Sequence, residues 1–118
     1  MSLNLLKIQR GKVQQLLSDI PGIKKAYYEP PSDIMLDYPC IIYQFDRYEG
    51  VMYSANDVYA AWPSFTITII DFDPESNIPF EFVELKKKNC NISLDRTFSA
   101  DGLYHWIFKL IFLDGSIS

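Results

Sequence analysis

Asp101-Gly102 stands between two runs that read as strands, "CNISLDRTFS" before it and "GLYHWIFKLIFL" ending the pair. Asp-Gly in that setting favours a two-residue turn whose backbone twist matches that of paired strands. The pair therefore predicts that the chain closes in an antiparallel hairpin. Along its second strand Tyr104, Trp106, Phe108, Leu110 and Phe112 share one face, and Leu103, His105, Ile107, Lys109 and Ile111 share the other. The first set reads as core, the second as a mixed surface that is half exposed or meets a neighbour.

The other segments fit around that hairpin. "LNLLKIQRGKVQQLLSDIPG" repeats Leu6, Val13, Leu16, Leu17 and Ile20 at helical spacing and stops at Pro21-Gly22. "IKKAYYE" predicts a short strand and "PPSDIMLDYP" a proline-bounded loop. "CIIYQFDRYE" predicts a strand with Ile41, Tyr43, Phe45 and Arg47 on one face and Ile42, Gln44, Asp46 and Tyr48 on the other. "GVMYSAND" predicts a loop that exposes Val51, Met52 and Tyr53, either as a plug tucked beneath it or as a partner-contact arm. "VYAAWPSFTITIIDF" predicts a long strand, bulged or at an edge where Pro63 cannot donate to a ladder, with Trp62 exposed beside it. "IPFEFVELKKKN" predicts a helix with Pro79 in its first turn, Asp73 or Asn77 as N-cap, and Ile78, Phe82 and Leu85 as its apolar stripe. The expected fold is a single α+β domain over residues 1–118, a mostly antiparallel sheet packed against two helices.

Composition narrows the function. Apolar residues make up 48% of 118, enough for a core that needs neither disulfide nor metal. Acidic residues outnumber basic ones, 15 to 11, which argues against binding to nucleic-acid phosphates. The one basic run, Lys86, Lys87 and Lys88, adjoins Glu81 and Glu84 and reads as a solvated helix face. Cys40 and Cys90 form no CxxC pair and there is a single histidine, so no zinc site is expected. Cys40 within "PCIIY" reads as a buried thiol and points to a reducing compartment; a disulfide to Cys90 stays open. "MSLNLLKIQRGK" does not follow a signal-peptide pattern, and no apolar stretch approaches the roughly 18 residues that a membrane span requires. A soluble cytoplasmic chain is expected.

Ser99, Asp101 and His105 invite a catalytic reading as a small hydrolase. A triad needs its base within hydrogen-bond reach of both nucleophile and acid. Neighbours on one strand face are spaced by about 6.6 Å, so proximity in sequence does not supply that geometry. No G-x-S-x-G elbow accompanies them, and His105 reads better as a structural or interface residue. Asp71, Asp73 and Glu75 lack the spacing and the turn glycine of a calcium loop, and fit a strand end followed by helix capping. Neither a Walker A loop nor GxGxxG is present. No catalytic, cofactor or metal residues are expected, and the chain is expected not to be an enzyme.

Taken in order, a helix ending in "IPG", "YYEPPSDIMLDYPCIIYQF", a segment containing "MYSANDVY", the strand "FTITIID", a helix ending in "ELKKKN" and the closing "DRTFSADGLYHWIFKLIF" resemble the small tail-terminator and tail-completion proteins of bacteriophages. The resemblance spans nearly the whole chain and rests on order and spacing. It implies a sandwich-like sheet flanked by helices. It also implies a non-catalytic homo-oligomeric ring, commonly a hexamer, that caps the tail tube, joins it to a head-completion protein and passes DNA through its lumen without specific binding. The candidate assembly residues are then Val51, Met52, Tyr53, Trp62, Lys86, Lys87, Lys88 and His105, the lysines pairing with acids across a ring interface. A monomeric module that binds a peptide or host protein through a sheet edge is the alternative.

Overall fold

The two longest strands are consecutive and pair with each other, and the rest of the molecule is built around them. The structure, a computed structural model, describes the backbone of residues 3–54 and 57–113 and the side chains of 5–52 and 60–113. In chain order the elements are α1 (Leu3–Ser18), β1 (Lys25–Tyr28), β2 (Cys40–Ser54), β3 (Asp57–Asp71), α2 (Ile78–Val83) continued by a 3-10 turn (Glu84–Lys87), β4 (Cys90–Ala100) and β5 (Leu103–Phe112). The strands form one sheet in the order β1-β2-β3-β5-β4. The β1–β2 pair is parallel and the other three are antiparallel. The fold is α+β, a mostly antiparallel sheet with two helices.

Both helices lie on one face of the sheet. Val13 and Leu17 of α1, with Phe82 of α2 and Leu85 of the 3-10 turn, bury Ile41, Tyr43, Phe65, Ile67, Ile69, Phe108, Leu110 and Phe112. Of these, Phe108, Leu110 and Phe112 lie on the face that the sequence marks as core. Trp106, on the same face, is half-buried and packs at the margin of this cluster. Phe82 and Phe108 meet at 4.8 Å between ring centroids, within the range favoured for aromatic pairs. Gln14 fastens α1 to the sheet: its amide donates to the Ala26 carbonyl at 3.1 Å, and its oxygen accepts a short bond from the Tyr43 hydroxyl. On the opposite face, Leu36 and Tyr38 from the 29–39 loop cover Tyr27, Cys40 and Ile70. Among the described residues no helix covers the rest of that face.

The closing hairpin forms as its turn predicts. Asp101 (φ 55°) and Gly102 (φ 76°) both adopt the left-handed conformation that the tight turn requires. Two expectations are corrected. The described residues of "GVMYSAND" are strand rather than loop: β2 runs on to Ser54 and β3 starts at Asp57, while residues 55 and 56 lie outside the described residues. Shifts of register between Phe45 and Arg47, Tyr48 and Gly50, and Met52 and Tyr53 let the strands keep pairing where the alternation breaks. The first shift also moves Tyr48 to the helix-bearing face, where its ring lies 5.3 Å from Phe45 and its hydroxyl 3.4 Å from the Gln9 side-chain oxygen. At α2, Asn77 holds the N-cap position without a side-chain cap bond; the Ser76 hydroxyl instead accepts from the Ile78 N–H at 3.2 Å. Cys40 and Cys90 are both buried free thiols, each pushed up to about 11 by burial, with the Asp37 carboxylate adding to the effect at Cys40.

Candidate functional site

The most distinctive surface is the far end of the β2–β3 hairpin. Strand β5 pairs with β3 only from Ser64 to Asp71, so Asp57 to Pro63 and the strand opposite them leave the sheet as a two-stranded ribbon. At about 3.3 Å per residue, this arm reaches roughly 20–25 Å beyond the sheet. An isolated two-stranded ribbon is marginal in water, and the base of this one is braced. Gln9, fully buried on α1, donates to the Ala61 carbonyl at 2.8 Å. The Ser64 hydroxyl donates to the Arg47 carbonyl at 2.9 Å. Glu49 receives Lys109 of β5 at 2.5 Å and Arg47 at 3.2 Å, and these two cations hold its carboxyl below the usual value, the Lys109 bond having the larger effect.

The candidate assembly residues divide between separate places. Gly50 stands opposite Trp62, and Met52 opposite Ala60, so Met52 and Trp62 lie on one face of the arm, away from the helices. A Cβ on Gly50 would come within 2.8 Å of the Trp62 ring, so the missing side chain is what lets the indole lie across the strand. That contact leaves Trp62 half-buried rather than exposed, while Met52 is 43% exposed. Val51 faces the other way, opposite the buried Ala61. Tyr53 pairs with Val58, and its side chain lies outside the described residues.

Lys86, Lys87 and Lys88 lead into the start of β4, where Cys90 pairs with Phe112 at the arm-bearing end of the sheet. Lys87 meets Glu84 of its own turn at 2.6 Å. His105 lies at the opposite end, across from Ile70, six residues along β5 from Ile111 and so about 20 Å away.

The Ser99, Asp101 and His105 constellation is not brought together. Ser99 pairs with Tyr104 and shares its face, whereas His105 pairs with Phe98 on the other, and Asp101 is exposed in the turn. The imidazole stacks flat on Phe98, 4.4 Å between centroids and 9° from parallel, with the Arg96 guanidinium 6.0 Å from the same phenyl ring. Its Nδ1 is buried with no hydrogen-bond partner among the described residues. The acids after β3 build a turn: an Asp71 carboxylate oxygen accepts from the Asp73 N–H at 3.4 Å, and one of Asp73 accepts from the Glu75 N–H at 2.9 Å. Among the described residues no group of three or more His, Cys, Asp or Glu side chains converges to hold a metal ion.

One surface was missed in the sequence. Between α2 and β4 runs a groove of about 630 Å³, floored by Trp106 and Phe108 and bordered by Pro79, Phe80, Val83 and Leu94. Phe80 is 74% and Leu94 56% exposed. The available signal was Phe80 itself, a large apolar residue off the Ile78, Phe82 and Leu85 stripe. The groove runs beside β4, the edge of the sheet, whose residues beyond Ile92 are all exposed. No protein-family model matches the chain, and no curated protein is detectably similar to it.

Proposed function

We propose that this chain is a structural subunit of a phage or prophage tail, a terminator or completion protein that forms a ring on the end of the tail tube and joins it to the head. The observation that carries this reading is the arm. None of its described side chains belongs to the core cluster buried by the helices, yet it presents Met52 and Trp62 on a braced ribbon. Apolar surface held out in this way suits contact with another subunit. In the ring reading the arm engages the tube, the partner on the far side is a head-completion protein, and DNA passes through the lumen without specific binding. The order of segments along the whole chain supports the same assignment.

The test is co-sedimentation with tail tubes of the phage or prophage that carries the protein, with tube ends inspected by electron microscopy. The wild type is expected to sediment with tubes and cap their ends. Met52→Ser/Tyr53→Ser is expected to keep its fold, with circular dichroism unchanged, and to lose tube binding. Wild type that ignores tubes sinks the proposal, and full binding by the folded double variant removes the arm from the contact. The groove beside β4 favours a second reading, a module that binds a peptide by adding a strand to that edge. One host protein retained by the wild type and lost with Phe80→Ser, with no virion component retained, would select it.

A further inference from the structure

Strand β4 is the long free edge of the sheet, and its bulge decides what can pair with it. Leu94 stands opposite Phe108 and Arg96 opposite Ile107, so Asp95 is one residue extra on β4. The extra residue changes the phase of the alternation. Before it, Ile92 and Leu94 take the helix-bearing face with Leu110 and Phe108, and Asn91 and Ser93 take the opposite face. After it, Thr97 and Ser99 take the helix-bearing face with Trp106 and Tyr104, and Arg96, Phe98 and Ala100 the opposite one. Asp95 shares a shallow cleft with Thr66, Ile107 and Lys109, so it too lies towards the face opposite the helices.

The two halves of the strand answer each other. Lay β4 antiparallel to β4 of a second copy, about a two-fold axis that crosses the sheet between residues 95 and 96. The strands then overlap from Asn91 to Ala100. Leu94 stands across from Thr97 and Ile92 from Ser99, all on the helix-bearing face; Ser93 meets Phe98 and Asn91 meets Ala100 on the other. At the axis, Asp95 of each copy meets Arg96 of its neighbour. A slip by one residue sets Asp95 on Asp95 or Arg96 on Arg96 and also crosses the two faces. Like charges directly opposite are destabilising, and crossed faces set groove residues against the open side. A slip by two keeps the faces but leaves Asp95 opposite Leu94 or Phe98, with no charge to meet. In an unbulged strand the residue at such an axis faces its own copy; the bulge is what brings two residues of opposite sign together there.

We propose that β4 pairs with β4 of a second copy in this register, so that one sheet runs through a symmetric dimer. The groove beside β4 supplies the apolar part of the contact. Leu94 and Thr97 both border it and stand across from each other at the joint, so each copy's edge closes the open side of the other's groove. Phe80 and Leu94, 74% and 56% exposed in the single chain, then face a shared apolar seam. The ion pairs choose the register more than they add affinity. Arg96 is exposed, and its contact with the Phe98 ring, at 6.0 Å, is at the outer limit of a cation–π pair, so its guanidinium is free to turn to a carboxylate. A bulge and charges on an edge discourage indiscriminate strand addition; here one partner satisfies both. Such a contact uses the same surface of each copy and closes at two. The inference goes beyond the tail reading and does not rest on it, since no residue of the arm takes part.

The test is sedimentation equilibrium of the full-length chain with charge reversals at the two exposed sites. The wild type is expected to form dimers. Asp95→Arg leaves the joint with positive charge only and Arg96→Asp with negative charge only, and each variant alone is expected to dimerise at least about tenfold more weakly. An equimolar mixture of the two is expected to recover dimers, as heterodimers by native mass spectrometry. The double variant Asp95→Arg/Arg96→Asp, with the charges exchanged, is expected to recover them as well. Unchanged circular dichroism, together with the recovery itself, shows that the single variants are folded. Phe80→Ser is expected to weaken dimerisation without loss of fold, and full dimerisation by that variant would remove the groove from the contact. Wild type that stays monomeric at millimolar concentration leaves the edge open, as the peptide reading needs, and overturns the inference. Dimers that tolerate either single reversal overturn it too, as does a mixture that fails to recover. Tube binding is scored separately: a monomeric wild type that caps tubes sinks the dimer alone, and a dimer that ignores tubes sinks the tail reading alone.

Discussion

The inner and outer halves of the β2–β3 hairpin belong to the same two strands and are held by different means. In the inner half, Cys40–Phe45 runs against Phe65–Ile70 in unbroken register, with Ile41, Tyr43, Phe65, Ile67 and Ile69 buried. A slip by one residue there would turn that whole set away from the helices, so burial fixes the register. The outer half has three register shifts, and small residues at Gly50, Ala60 and Ala61. Its position depends on a few identifiable contacts: the Gln9 amide on the Ala61 carbonyl, the Ser64 hydroxyl on the Arg47 carbonyl, the Trp62 ring over Gly50, and Lys109 on Glu49. One ribbon thus serves as core at one end and as a limb at the other. The expected consequence is a gradient of local stability along it.

The largest effect belongs to the inner half. Phe65→Ala removes a fully buried ring that touches Tyr43 and Phe45, and is expected to cost about 3–5 kcal/mol in urea unfolding. A loss under about 1 kcal/mol would mean that the inner half is no more core than the arm. Gln9→Ala leaves the Ala61 carbonyl without its donor and is expected to cost about 1–3 kcal/mol. Its signature sharpens the comparison: amide exchange should accelerate at residues 47–51 and 60–64 and stay slow at 41–43 and 67–69. Uniform acceleration would break the division into two halves. Gly50→Ala forces the Trp62 ring aside and is expected to cost about 1–2 kcal/mol, with a shifted Trp62 indole resonance while that of Trp106 holds still. An unmoved indole would show that Trp62 does not lie across Gly50.

The same division decides what could be read in the sequence. Where one face is buried, alternation carries the information: Phe65, Ile67 and Ile69 on β3 and Phe108, Leu110 and Phe112 on β5 all face the helices as their spacing requires. Asp101-Gly102 was legible because few dipeptides accept two consecutive left-handed residues. The arm was not legible, because its register shifts scramble the alternation and its glycine and alanines resemble turn residues. What holds it, Gln9 against Ala61, joins residues 52 positions apart and leaves no local trace. The candidate site followed suit. Met52 and Trp62 were named in the sequence and do share a surface, but the pairing that unites them, and the groove beneath Phe80, depend on which elements the topology sets side by side.

The smallest expected effect concerns the last of the arm's fastenings. Glu49 is exposed at the base of the arm, and its carboxyl sits below the usual glutamate value because Lys109 and then Arg47 donate to it. A group whose pKa is depressed by folding contributes stability that is fully present above its unfolded pKa, about 4.3, and is lost as the pH falls through the lower folded value. The outer half is therefore expected to loosen in acid before the inner half does, with no change between pH 6 and 8 from this group. Carbon-detected titration of Glu49 should give a midpoint below the ordinary glutamate value of about 4.3. Lys109→Gln should return most of that shift, since the Lys109 bond is its larger cause, and Arg47→Gln should return less. Equal recovery from the two variants would mean that the arm is not tied to β5 through this pair and hangs on its own strands alone. A Glu49 midpoint already at the ordinary value in the wild type would remove the fastening altogether, leaving Gln9, Ser64 and the Trp62–Gly50 contact to hold the limb.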